Sequence, residues 1–190
     1  AAGKEVTFYP FLLMDQVAGN TLPDPYSGAA GQPALPWRGR ITLSVAPGLA
    51  GTPDRTAAAG TEVASFLGSA SLANFAISGT NVIYSGPSEW SFRRMILHYA
   101  HLCAAAGGVD AFLIGSELRG LTQVRSAGDA FPMVAALKTL AAEVKLVLPA
   151  AKISYAADWS EYFGYQTGAD VYFHLDPLWA DSHVDFIGID

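Results

Sequence analysis

Ala111-Phe112-Leu113-Ile114-Gly115-Ser116-Glu117 is the stretch on which the reading of this chain turns. It is a short, wholly apolar run that passes through two small residues into an acid. No polar residue alternates with the apolar ones, so neither face is marked for water. Such a run reads as a strand of a parallel sheet covered on both faces. Working outward, Gly107-Gly108 closes a helical pattern on its N-terminal side. That pattern runs from Ser88, the expected N-cap with Glu89 beside it, to about Ala106, with Phe92, Ile96, Tyr99 and Cys103 at helical spacing. On its C-terminal side a further helix is expected over about Phe131–Leu148, with Val134, Leu137, Ala141, Val144 and Leu148 on one face. Lys152–Ala156 follows as another short strand, and Val184–Ile189 as a last, buried one. Strands alternating with helices imply βα units.

The N-terminal half is less regular. A strand is expected over Glu5–Leu13, then a long irregular segment from Asp15 to Trp37 holding Pro23, Pro25, Pro33 and Pro36. Loops this long are uncommon within compact domains and are often functional. A short strand is expected over Arg40–Val45. Thr52 reads as an N-cap with Pro53 at the first helical position, opening a helix that Gly68 stops after Leu67. Residues 69–87 are polar and Gly-rich, with a short strand at Asn81–Tyr84. Ala1-Ala2-Gly3-Lys4 reads as the end of a helix and Val184–Asp190 as a strand stopping at its tip, so the chain reads as a segment of a longer protein.

Composition sets outer limits. The chain has 190 residues, 51% hydrophobic and only 15% charged, so it can bury a sizeable core and is not disordered as a whole. A net charge of -6 with no basic run argues against a nucleic-acid partner. The single cysteine, Cys103, excludes an internal disulfide and reads as a core thiol. No apolar run approaches the ~20 residues that span a membrane. GxGxxG, Walker A and GxSxG sequences are all absent, which leaves nucleotide folds and serine hydrolases without their fingerprints. His98 and His101 stand three apart on a helix, and His174 and His183 in a loop; these read as structural. Neither a metal nor a cofactor is expected.

The remaining architecture is a (β/α) barrel, whose chemistry sits at the C-terminal ends of its strands. Asp15, Glu117, Asp158 and Asp190 each follow a strand, and four such acids are expected to converge on one mouth. Each alone also suits a helix cap or a surface ion pair. Glu117 is the foremost candidate, because a partly buried carboxyl can serve as a general acid; Arg119 is its expected partner if the role is structural. Trp37, Trp159, Tyr162, Phe163, Tyr165, Phe173 and Trp179 cluster in the loops, either stacking on sugars or packing the loops down.

Several blocks carry a resemblance. Phe8-Tyr9-Pro10-Phe11-Leu12-Leu13-Met14-Asp15, Leu22-Pro23-Asp24-Pro25-Tyr26 and Pro36-Trp37-Arg38-Gly39-Arg40-Ile41-Thr42 are similar to the TIM-barrel-like domain of gene transfer agent and phage tail-tip proteins. So are His98–Cys103, Gly108–Thr122, Ser154–Gly164 and Phe173–Asp181, in the same order. That family in turn resembles the clan A glycoside hydrolases. The resemblance implies an α/β fold, the central part (strands three to six) of a TIM (β/α)8-like barrel within residues 1–190, with a long insertion over about 16–87. It implies that Glu117, after the fourth strand, matches the acid/base, with the nucleophile on the seventh strand, past Asp190. Ser116 stands where the clan commonly has Asn, a departure at the group that holds the sugar's 2-hydroxyl. The implied role is a glycosidase-like domain at the tail tip of a virion or gene transfer agent particle, acting on host surface or cell-wall polysaccharide. Asp15, Trp37, Arg38, Ser116, Asp158, Trp159 and Asp190 would bind the substrate, with other tail-tip proteins as partners in an oligomeric tail. The alternative is a non-catalytic glycan-binding or structural module.

Overall fold

The structure is a computed structural model that describes residues 3–190. The helix end expected at Ala1-Ala2 lies outside the described residues. Four strands form one parallel sheet: β1 (Thr7–Phe8), β4 (Ala111–Ser116), β5 (Lys152–Ala157) and β8 (Gly188–Ile189), in the order β1-β4-β5-β8. Between β1 and β4 lie α1 (Ala57–Leu67), a hairpin of β2 (Phe75–Ser78) and β3 (Asn81–Tyr84), and α2 (Phe92–Ala105). The short helix α3 (Arg119–Thr122) and the long α4 (Pro132–Val147) join β4 to β5. A second hairpin, β6 (Tyr165–Thr167) and β7 (Asp170–Tyr172), and α5 (Asp176–Trp179) lead to β8. Strand order follows chain order throughout, so there is no switch point of the doubly wound kind. Parallel strands added one after another, with helices between them, form an arc of a TIM-barrel-like sheet.

The central strands are apolar because both their faces are covered. All six residues of β4 are buried, as are five of the six in β5. Ile96, Leu97 and Ala100 of α2 and Leu137, Ala141 and Val144 of α4 join Phe112, Ile114, Ile153 and Tyr155 in one core. Cys103 is buried in the same cluster. His101 is structural: its Nδ1 lies 2.7 Å from the Leu97 carbonyl and its ring stacks on Phe75, which seats the first hairpin on α2. No helix among the described residues is long and apolar enough to cross a membrane.

Five local expectations are corrected. β1 pairs only over Thr7–Phe8, because Pro10 has no N–H to continue the ladder. Arg40–Val45 is not a strand; Arg38–Arg40 forms a single 3-10 turn instead. The helix α1 starts four residues late, capped by Thr56 rather than Thr52. Asp54 is engaged elsewhere, accepting the Arg125 N–H at 2.7 Å, and Arg55 takes a positive φ of 65° that no helix can include. The cap of α2 is Ser91, not Ser88, because the Glu89 carboxylate is spent on the N–H groups of Ser69 and Ala70 and on the Ser91 hydroxyl. Those bonds hold Glu89 at about 2, the Ser91 and Ser69 hydroxyls contributing most. Lastly, the final strand pairs only at Gly188–Ile189, and Phe186, Ile187 and Ile189 are exposed, since β8 is an edge strand of this sheet.

Candidate functional site

Glu117 sits at the C-terminal tip of β4 in a backbone conformation that side chains rarely adopt, with φ 47°. A left-handed non-glycine residue costs roughly 1 kcal/mol and persists only where its surroundings hold it. Here the register of β4 against β5 shifts between Leu113 and Ser116, and the Glu117 N–H donates to the Ala156 carbonyl at 2.8 Å. The next N–H, of Leu118, donates to the Tyr155 hydroxyl at 2.6 Å. Tyr155 is fully buried and donates in turn to Glu161, 3.0 Å away. Glu161 is itself wholly buried and also accepts from the Thr122 hydroxyl and from the Asp158 N–H at 3.1 Å. The peptide carrying Glu117 is thus tied to a buried polar network.

The side chain of Glu117 meets the long irregular segment. Trp37 Nε1 donates to its Oε2 at 2.6 Å, and Arg38 Nη2 lies 2.9 Å from the same oxygen. Both bonds fall on Oε2; Oε1 has no protein partner among the described residues. Arg38 is the hub of the cluster. Its Nε donates to Ser116 Oγ at 2.8 Å, and its Nη2 to Asp190 Oδ2 at 3.1 Å and to the Tyr9 hydroxyl at 3.3 Å. Its guanidinium lies 4.9 Å from the Phe11 ring centroid. Tyr9 donates to Asp190, and burial, then that bond, push its hydroxyl above the ordinary 10.0. The cluster therefore sets two carboxylates, bridged by one guanidinium, beside the rings of Tyr9, Phe11 and Trp37.

A close approach of backbones makes this docking possible. A Cβ on Gly120 would lie 2.5 Å from the Ile41 carbonyl oxygen and 2.7 Å from that of Gly39. Gly120 lets the Arg38–Arg40 turn lie directly on α3, which sets Trp37 and Arg38 above Glu117. Gly120→Ala is expected to destabilise the chain by about 2 kcal/mol, since backbone must move to admit the methyl. Denaturant unfolding checks this, and the quenching of Trp37 fluorescence should change with it. An unchanged midpoint would mean that the turn is not seated on α3.

Of the residues picked from sequence, Trp37, Arg38, Ser116 and Asp190 gather around Glu117. The expected convergence of four acids is corrected to two. Asp15 is exposed and makes no ion pair or hydrogen bond among the described residues. The Asp158 side chain is buried and turned to its own loop, where it accepts from the Ser160 N–H at 2.9 Å. Trp159 is exposed and free of that cluster. The partner foreseen for Glu117, Arg119, is replaced by Arg38. Tyr9, Tyr155 and Glu161 were missed; the one signal was for Tyr155, a tyrosine in the middle of a strand whose other residues are mostly small or aliphatic. Among the described residues, no three His, Cys, Asp or Glu side chains are grouped to hold a metal ion.

The family model described as "GTA TIM-barrel-like domain" matches residues 90–190, more than half of the chain. No curated protein matches it.

Proposed function

The chain belongs to the family of gene transfer agent TIM-barrel-like domains, and on that premise we propose that it is a glycoside-hydrolase-like barrel domain of a tail-tip or hub protein, acting on host surface or cell-wall polysaccharide. The observation that carries this reading is Glu117. It stands at the tip of a barrel strand, held in a strained conformation, with a tryptophan and an arginine at its carboxylate and a second carboxylate, Asp190, across the arginine. Strained positions at strand tips are where barrel enzymes keep their chemistry.

In this reading residues 1–190 are part of one barrel domain, and residues 16–87 are an insertion that walls its mouth. A sugar ring stacks on Trp37, and Arg38 and Asp190 bond its hydroxyls, with Ser116 holding Arg38 from beneath and Asp15 and Trp159 reached by sugars farther along the chain. Glu117 gives a proton to the leaving glycosidic oxygen. A carboxylate from a strand outside these residues attacks the anomeric carbon, and Glu117 then takes a proton from the water that releases the sugar. A specific observation favours a second reading, a non-catalytic module that binds glycan or serves as structure: both contacts on Glu117 Oε2 already come from the protein.

The test is binding and hydrolysis of an envelope-polysaccharide panel by the complete parent barrel, which carries both carboxylates, with Glu117→Gln beside it. An enzyme should cleave at least one glycan, and the variant should bind it but cleave about a thousandfold more slowly. If both bind and neither cleaves, the module serves adsorption. If neither binds, its role is structural.

A further inference from the structure

Beside Glu117 lies a cavity of about 840 Å³, with a charge opposite to that of the chain. The protein carries a net charge of -6, yet four of its eleven Lys and Arg residues line this one space: Arg40, Arg55, Arg119 and Arg125. Asp54 is the only acid among the lining residues. Arg125 is paired to it at 3.5 Å and to Asp129 at 3.4 Å, and Arg40 pairs with Asp24 at 3.3 Å. Arg119, which is half-buried, and Arg55 have no acid partner among the described residues.

The unpartnered polar atoms of the cavity point the same way. Thr42 Oγ1, Gln123 Nε2, Arg125 Nε and the Tyr165 hydroxyl are buried without a hydrogen-bond partner. All four residues line this cavity. Arg125 is only 4% exposed. Buried polar atoms are paired in the great majority of cases, so four such atoms around one space are an unmet demand. Each can donate. Burial pushes the Tyr165 hydroxyl up to about 12, which keeps its proton on at neutral pH. Unspent donors beside two unpaired guanidinium groups call for a ligand that only accepts and carries negative charge.

Trp37 joins this cavity to the Glu117 cluster, because it lines the one and donates to Glu117 in the other. We propose that the cavity is an anion subsite that takes the carboxylate or phosphate of an acidic saccharide whose adjoining ring lies at Trp37 and Glu117. The proposal rests on the glycan reading above and narrows it to anionic glycans. Arg119 supplies the charge-assisted bond, Gln123 and Tyr165 add neutral donors, and Arg55 adds attraction from the rim.

The test is calorimetric titration of the full chain with an oligouronate, its carboxyl-reduced neutral counterpart, a sugar phosphate and inorganic phosphate, at low and high salt. The oligouronate or the sugar phosphate should bind at least about tenfold more tightly than the neutral oligomer, and salt should shrink the difference. Arg119→Gln should weaken binding of the acidic ligand by about tenfold or more while leaving the neutral oligomer unchanged. If Arg119→Gln does not fold, Arg55→Asn, at an exposed left-handed position, should still reduce acidic binding and its salt dependence. Equal binding of acidic and neutral oligomers overturns the anion subsite and leaves the glycan reading standing. Binding of inorganic phosphate that depends on Arg119, with no oligosaccharide bound, supports the subsite and overturns the glycan reading. No binding of any anion overturns the proposal.

Discussion

Replacing Arg38 by methionine is expected to lower the stability of this chain by about 3 kcal/mol, the loss expected when one member of a mostly buried ion pair is removed. Arg38 and Glu117 have side chains 15% exposed, and Asp190 is 35% exposed, so the lower end of the range for buried pairs applies. The methionine keeps the aliphatic stem but removes the guanidinium that lies over Phe11 and withdraws the positive charge from two carboxylates at once. It also leaves Ser116 Oγ without its donor and Tyr9 without one of its neighbours. Lysine should restore only part of the loss. One ammonium cannot reach Ser116 from one edge and both carboxylates from another, as the planar guanidinium does. Urea unfolding of the three proteins decides the matter. A methionine variant as stable as the parent would show that Trp37 and solvent suffice to hold Glu117 and Asp190.

The second large effect is on pH dependence. Burial raises Glu161 from its ordinary 4.5 to about 7, despite bonds from Thr122, Asp158 and Tyr155 that pull the other way. Burial lowers His174 from 6.5 to about 4. For Glu161 the folded state binds more protons than the unfolded state between about 4.5 and 7. Its contribution to stability is therefore whole below that window and is lost as pH rises through it. For His174 the unfolded state binds more protons between about 4 and 6.5, so stability rises with pH there. Each swing amounts to about 3 kcal/mol, at roughly 1.4 kcal/mol per pH unit across the window. In the overlap the two slopes oppose one another, and the parent should show a nearly flat profile there, then a decline toward pH 7.

Glu161→Gln removes the falling slope. Relative to the parent it should gain about 3 kcal/mol between pH 4.5 and pH 8, whatever constant cost comes from losing an acceptor for the Asp158 N–H. His174→Phe should do the reverse, leaving a protein most stable in mild acid. Denaturant titrations across pH 4–8 read both. Parallel curves for Glu161→Gln and the parent would mean that Glu161 stays ionised in the fold. The consequence reaches Glu117, since Tyr155 links Glu161 to the Leu118 N–H that follows it.

The elements α2, β4, α4 and β5 were legible because their signals are local, while the short helix α3 carried no such signal. Helical spacing of Phe92, Ile96 and Cys103, the stop at Gly107-Gly108 and the unbroken apolar run of β4 each depend on neighbours within a few residues. Residues 15–37 read as irregular and are so, whereas residues 38–56 were misread for a definite reason. The Asp54 carboxylate accepts the Arg125 N–H and the Arg55 N–H donates to the Arg125 carbonyl, so the local capping signal Thr52-Pro53 lost to tertiary bonds.

The sequence by itself determined that short apolar strands alternate with amphipathic helices, that Cys103 is core, and that an acid follows β4, because burial and periodicity are properties of each stretch alone. Only the tertiary structure decided which groups meet that acid. Trp37 reaches Glu117 across 80 residues of chain and Arg38 reaches Asp190 across 152, while Asp15 and Asp158, no less promising in sequence, stay apart from them. A strand tip places a carboxylate at the mouth of a barrel. Its partner is set by where a long loop can lie down, and here that is fixed by the absence of a side chain on Gly120.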